Sequence, residues 1–386
     1  MSHVSSVYTT PPRSNKSSDF GFKPKLEPLG DDGACRFMED CYDTKSQIGE
    51  GTYGQVYIAR DRSTHEEVAL KKIRMDNEKD GFPITAIREI KILRTANDDN
   101  VIRLREIVRS KPRGDRSPGS KCSVYMVFDY MQHDLMGLLE RLDYNLKVPQ
   151  IKHFMKQLCK GLNSCHKNGI LHRDLKLSNL LISKSGDLKL ADFGLARPFK
   201  EVPDARMTNR VITLWYRPPE LLLGSDRYGP AIDMWSVGCI FAELLTGRPI
   251  FPGKDELDQS DKIFNLLGSP TEANMPGCSK LEHYGKIPTD KYKTSRLGLY
   301  CERNNIPHTA AALLEKMLSL NPNDRPSAEA ALHNEFFWND PPPEKPPNLD
   351  SLPSSHEFTM KRKKHHDKHE GKKDSPPQKR QRHMSR

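Results

Sequence analysis

The chain has no long apolar run. No stretch of its 386 residues approaches the roughly 18 uninterrupted apolar residues that a membrane-spanning helix requires. The first 28 residues mix Ser, Pro and Lys and lack the apolar core of a secretory signal. The eight cysteines fall in no C-x-x-C pair, which argues against a zinc ribbon or a redox dithiol and for free thiols in a reducing compartment. No internal repeat is visible. These absences lead to the expectation of a soluble intracellular protein without membrane partners.

Charge is unevenly placed. The formal net charge is +10, yet residues 361–386 alone hold eleven Lys and Arg against three Asp and Glu, so nearly all of the excess sits in the tail. Lys361-Arg-Lys-Lys364 and Lys379-Arg-Gln-Arg382 read as a two-part nuclear import signal, with a solvated tail as the plainer alternative. The tail interleaves no aromatic residues with its charges, so direct nucleic-acid binding is not expected.

The first 40 residues are interrupted by Pro11, Pro12, Pro24 and Pro28 and read as a disordered extension. Strands are expected over 46–60, 67–73, 101–108 and 123–129. A helix is expected after Pro83, with Ile84, Ile87, Ile90 and Leu93 at spacings of three. Beyond Met131 helical periods dominate. Ile151, Phe154, Met155, Leu158, Leu162 and Cys165 form one stripe, residues 231–245 are apolar nearly all round, and 310–320 is amphipathic.

Gly49-Glu50-Gly51-Thr52-Tyr53-Gly54-Gln55-Val56 has the G-x-G-x-x-G spacing, which alone is weak evidence. A dinucleotide fold would continue into a helix; here the sequence continues as a strand, so the glycines form a hairpin turn able to lie over phosphates. In the strand Val68-Ala69-Leu70-Lys71-Lys72, alternation points one lysine inward, where it needs a partner, and Glu89 on the following helix is the candidate. The strongest constellation is His172-Arg173-Asp174 through Asn179, followed by Asp192-Phe193-Gly194. Short strands at 180–182 and 188–190 would form a hairpin whose closed ends bring Asn179 beside Asp192. Two such oxygens suit a hard cation such as Mg²⁺, and Asp174 could reach a hydroxyl held close by.

Together with Pro218-Pro219-Glu220, this set resembles the signature of the eukaryotic protein kinases. Pro83 to Glu89 is similar to the cyclin-binding helix of cyclin-dependent kinases. Residues 208–220, Tyr228-Gly-Pro-Ala-Ile-Asp233 and Ser354-Ser-His-Glu-Phe358 resemble the transcription-elongation branch of that group, over about residues 41–358. Leu177 and Met275 depart from the commoner Pro and Trp of relatives, and no catalytic position is missing, which argues against a catalytically dead scaffold. A mitogen-activated kinase is disfavoured because Thr208-Asn-Arg stands where Thr-x-Tyr would be required.

The resemblance implies an α+β, two-lobed kinase fold: an extension over 1–40, an antiparallel-sheet N-lobe with one helix over 41–131, a helical C-lobe over 132–338, and a Pro-rich then basic disordered tail over 339–386. It implies ATP and Mg²⁺ as cofactors. Lys71 would bind phosphates and pair with Glu89, Asp174 would orient the acceptor hydroxyl, Lys176 would touch the γ-phosphate, and Asn179 and Asp192 would hold the metal. Ile48, Val56, Ala69 and Leu181 would enclose adenine, with Phe128 behind and Asp129 and Met131 offering backbone bonds. Thr208 would be an activating phosphosite gathered by Arg88, Arg173 and Arg197 and modified by another kinase, while phosphates on Thr52 or Tyr53 would repel ATP. Ile212 and Arg217 would shape a pocket for Pro after the target Ser/Thr. Glu220 and Arg325 would pair in the core, and Asp233 would brace the catalytic loop. A cyclin is the implied partner, the RNA polymerase II C-terminal domain the implied substrate, and the nucleus the implied location.

Overall fold

The computed structural model describes residues 35–51, 54–74, 82–111, 122–143, 146–199, 206–287 and 291–362. Thr52, Tyr53, the extension before residue 35 and the basic run beyond 362 lie outside the described residues.

A single turn, α1 (Met38–Cys41), leads into β1 (Tyr42–Gly51), β2 (Gly54–Asp61) and β3 (Glu67–Lys72). The helix α2 (Ile84–Thr95) follows, then β4 (Leu104–Arg109) and β5 (Val124–Asp129). The five strands form one antiparallel sheet in the order β1-β2-β3-β5-β4. Gly54 must be glycine: its φ is +148°, and a Cβ there would lie 1.8 Å from the carbonyl oxygen of Lys72.

Of the apolar residues spaced by three on α2, only Leu93 is fully buried. Ala86, Glu89, Ile92 and Leu93 are buried, whereas Ile84 is 53% exposed and Ile87 and Ile90 are only half-buried. Two causes act together. A spacing of three drifts around a helix of 3.6 residues per turn, and the inward ion pair of Glu89 fixes the rotation.

The chain enters the second lobe through β6 (His133–Asp134), α3 (Leu135–Arg141) and the long α4 (Val148–Lys167). All six stripe residues of α4 are buried. After β7 (Ile170–Leu171), β8 (Leu180–Ile182) and β9 (Leu188–Leu190) form the expected hairpin, with Leu180 opposite Leu190, and β10 (Arg197–Pro198) pairs back onto β7. Next come α5 (Pro219–Leu222) and α6 (Ala231–Thr246), the latter buried nearly all round as its composition suggested. The lobe is completed by α7 (Glu256–Leu267), α8 (Leu297–Arg303), α9 (His308–Met317) and α10 (Ala328–Leu332). Leu177 and Met275, the two departures from relatives, are both buried and serve packing.

Both predicted domain ends need correction. Residues 35–40 are not part of a disordered extension. Arg109 N donates to Arg36 O at 3.0 Å, the Arg36 guanidinium pairs with Glu106, and Lys111 N donates to Glu39 at 2.9 Å, so this segment covers the outer edge of β4. At the other end, residues 339–362 are not a disordered tail. Lys152 Nζ, fully buried on α4, donates to the carbonyls of Asn339 and Pro341 at 2.6 and 2.7 Å. Leu349 is buried, and Asp134 N then donates to Ser355 O at 3.2 Å. The Asp134 carboxylate accepts from Gly137 N at 2.7 Å and from Glu357 N at 2.8 Å, capping α3 and the helical residues 357–362 at once. A side chain at position 137 would place its Cβ 2.7 Å from Ser355 O, so only glycine admits the strap. Prolines end helices, which made the segment look like a tail, but they do not prevent it from docking.

Candidate active site

Residues opposite one another in an antiparallel sheet share a face. Val56 lies opposite Lys71, Ala69 opposite Phe128, and Lys71 opposite Met126, so one face of the sheet presents Val56, Ala69, Lys71 and Phe128 together. This face ends at Asp129 to Met131, where the chain passes between lobes. Ile48 and Leu181 are half-buried, on β1 and β8. Gly49 pairs with Val56, and Gly51 with Gly54, across the turn. Two other predicted positions point elsewhere: Glu50 pairs with Arg74 at 3.3 Å, and Gln55 accepts from Tyr57 Oη at 2.7 Å. The Asp129 carboxylate likewise turns to Arg105 at 2.6 Å, leaving its main chain.

Lys71 is the inward lysine. Its Nζ lies 2.8 Å from Glu89 Oε1 and 2.8 Å from Asp192 Oδ1. Burial opposes its charge, but the two carboxylates outweigh burial and hold its pKa above the ordinary lysine value. Burial lifts the pKa of Glu89, with Lys71 acting against the rise. For Asp192 burial also pushes upward, but the ammonium prevails and the net shift is down, so Asp192 is the firm anion of the trio.

Asp192 has φ 62° and ψ 70°, a left-handed conformation uncommon outside glycine. Packing on both sides fixes it: Phe193 is fully buried with its ring 4.8 Å from that of His172, and His172 Nε2 lies 3.0 Å from Ala191 O. Burial lowers the pKa of His172, which keeps the ring neutral in this packing role. Asp233, on the buried α6, accepts from the backbone N–H groups of His172 at 3.0 Å and Arg173 at 2.9 Å, and from His166 at 2.9 Å. Burial works against its charge, and these donors reverse that to bring its pKa down. The resemblance implied such a brace.

Both oxygens of Asp174 are oriented. Oδ1 accepts from Thr213 N at 3.1 Å and Thr213 Oγ1 at 2.8 Å; Oδ2 accepts from Lys176 Nζ at 2.9 Å and Asn179 Nδ2 at 3.2 Å. Asn179 Nδ2 also donates to Asp174 O at 2.7 Å, so its amide oxygen is the end turned the other way. Ala191 N donates to Asn179 O at 2.9 Å, which makes Asn179 and Asp192 neighbours across the closed hairpin as predicted. Thr213 is the residue that sequence reasoning missed as a partner of Asp174. It appeared only inside a longer matching string, and 39 residues separate it from the carboxylate it orients.

Further along, Ile212 is buried with φ 66°, and its carbonyl accepts from Arg217 Nε at 3.2 Å and Nη2 at 3.1 Å; Arg217 Nη1 reaches Glu256 at 2.6 Å. Glu220 and Arg325 form a two-pronged pair at 2.7 and 2.8 Å. Thr208 is exposed. Of its three proposed arginines, Arg173 is buried, Arg197 half-buried and Arg88 exposed on α2.

Residues 42–337 match the protein kinase domain family. The chain is 56% identical over 332 residues to cyclin-dependent kinase C-1 of Oryza sativa subsp. japonica, covering 84% of this chain and 64% of the relative. It is also 56% identical over 331 residues to cyclin-dependent kinase C-2 of Arabidopsis thaliana, again 84% of this chain and 64% of the relative. Cyclin-dependent kinase 9-A of Xenopus laevis is 45% identical over 328 residues, 83% of this chain and 85% of the relative. The chain thus spans just under two thirds of the length of these two plant relatives. Sheet, hairpin, ion-paired lysine and these likenesses all agree: the chain belongs to the protein kinase family, within the cyclin-dependent kinases of the transcription-elongation branch.

Proposed function

We propose that the chain is a cyclin-dependent Ser/Thr kinase that transfers the γ-phosphate of ATP to Ser/Thr-Pro sites, with the heptads of the RNA polymerase II C-terminal domain as substrate and the nucleus as its location. Asp174 carries the reading. A carboxylate whose two oxygens are held by four donors from Thr213, Lys176 and Asn179 can accept one further proton donor in a fixed direction. The acceptor hydroxyl would bond there; its oxygen attacks the γ-phosphorus, the bond to the β–γ bridging oxygen breaks, and the proton passes to Asp174. Lys176 sits beside it to meet phosphate charge. Lys71, kept cationic and held by Glu89, would take the non-transferred phosphates.

Asn179 and Asp192 fit Mg²⁺. The pair offers one amide oxygen and one carboxylate with a depressed pKa, both hard donors, with the rest of the shell left to phosphate and water. When bound, the ion would neutralise phosphate charge. Support for a cyclin comes from α2, whose half-buried Ile87 and Ile90 and exposed Ile84 form an apolar strip beside the ion-pair helix face. Docking there would hold Glu89 against Lys71.

Proline direction has a physical basis in Ile212. Its carbonyl is consumed by Arg217, so nothing at that position accepts an N–H from the residue after the target, and proline, which has none, is not penalised. Replacement Arg217→Ala frees the carbonyl. The expected outcome is a Ser-Pro over Ser-Ala preference in kcat/KM that falls by about tenfold, on the scale of one or two hydrogen bonds. An unchanged ratio in matched peptides would remove Ile212 and Arg217 from the specificity account.

A further inference from the structure

The segment around Thr208 is seated by contacts that involve no phosphate. Met207 N donates to Asp226 O at 2.7 Å, Arg206 faces the Asp226 carboxylate at 3.4 Å, and Ile212 N donates to Arg173 O at 3.0 Å. Tyr228 adds two further bonds. Its hydroxyl donates to the backbone carbonyl of Thr208 at 2.6 Å and accepts from Arg173 Nη1 at 3.0 Å, while Arg173 Nε donates to Leu195 O at 2.7 Å. A neutral phenol thus bridges the catalytic-loop guanidinium and the main chain of Thr208. Burial raises the phenol pKa, against the pull of Arg173, so the group keeps the proton that its donation to Thr208 requires. The Thr208 side chain is exposed, its hydroxyl accepting from Arg210 N at 3.3 Å, and Arg88 and Arg197 make no side-chain hydrogen bond or ion pair among the described residues.

We propose that Tyr228 is a positioning residue: a clasp, independent of phosphate, that holds the Thr208 segment on the catalytic loop before Thr208 is modified and sustains the residual turnover of the unphosphorylated enzyme. A phosphate on Thr208 would bring Arg173 a charged partner of its own, stronger than a phenol. The clasp is then redundant. The contribution of Tyr228 therefore depends on the phosphorylation state, which a purely structural tyrosine would not show.

The turnover part rests on the kinase reading above, so the test has two arms. Tyr228→Phe is made in the chain purified with its cyclin, alone and combined with Thr208→Ala. The expected result is a kcat about tenfold lower in the Thr208→Ala background, the scale of the two bonds lost, with KM for ATP unmoved. In enzyme phosphorylated on Thr208 the loss stays within about twofold, which also shows that the variant folds. In the second arm, trypsin cleavage after Arg206 and Arg210 is followed by mass spectrometry. Cleavage should accelerate several-fold in unphosphorylated Tyr228→Phe and stay unchanged once Thr208 carries phosphate. Accelerated cleavage without any kinase turnover in the parent protein would sink the kinase reading and leave the clasp standing. Equal losses in both phosphorylation states, or cleavage that Tyr228→Phe does not change, would overturn the clasp.

Discussion

Asp174→Asn is expected to lower kcat of the cyclin-bound enzyme by about 10³-fold, within the range a positioned proton acceptor supplies, while ATP affinity stays within about threefold. Two effects combine. The amide cannot take the hydroxyl proton, and it cannot satisfy its surroundings either. All four groups around the Asp174 carboxylate are donors. An asparagine amide must aim its own N–H₂ at Thr213 or at the Lys176–Asn179 side, so one set of bonds is lost. Nucleotide affinity is spared because Lys71, Asp192 and the sheet face are untouched by the change. Steady-state turnover and binding of a fluorescent ATP analogue, measured on the same preparation, separate the two quantities. Turnover above about a tenth of the parent value would remove Asp174 from the proton-acceptor role.

The second large effect is on stability. Arg325 is wholly buried and donates to Glu220 through two nitrogens, to Ser319 O at 2.8 Å and to Ala231 O at 3.0 Å, with Trp235 4.9 Å beneath it. Arg325→Met strands the Glu220 carboxylate and these carbonyls together. The expected cost is about 3–5 kcal/mol, a drop in thermal midpoint on the order of 10 °C for a domain of this size. Glu220→Ala should cost less, because the carbonyls still accept from the guanidinium. The double change Glu220→Leu with Arg325→Met should recover part of the loss, since no charge is left unpaired. Differential scanning calorimetry of the four proteins checks the order. A single Arg325→Met variant as stable as the parent would show that the pair is not a structural clamp.

Part of the site is legible in spacing. Period-two alternation in β3 sends one of Lys71 and Lys72 inward, the family resemblance picks Lys71, and the cost of a buried ammonium demands a carboxylate, which Glu89 supplies at 2.8 Å. The closure of a hairpin places Asn179 and Asp192 together from sequence. Other features have no local signal. Thr213 meets Asp174 only because the segment folds back through the left-handed Ile212 onto Arg173. On α2, apolar spacing by itself cannot tell a core face from one prepared for a partner. The strap over 339–362 resembles a tail in sequence because its anchors are backbone carbonyls gripped by Lys152 and a carboxylate cap from Asp134. Neither shows as a pattern in the strap's own residues.

The central claim is that this carboxylate-and-lysine geometry moves phosphate from ATP onto proline-directed hydroxyls. The direct measurement is the initial rate of labelled phosphate transfer, with magnesium present, from ATP to an RNA polymerase II heptad peptide and to its copy with alanine after each target serine. The cyclin-bound chain should label the first at least about tenfold faster than the second, as a hydrogen-bond-sized discrimination requires. Equal labelling of the two peptides, or none of either, would contradict the account.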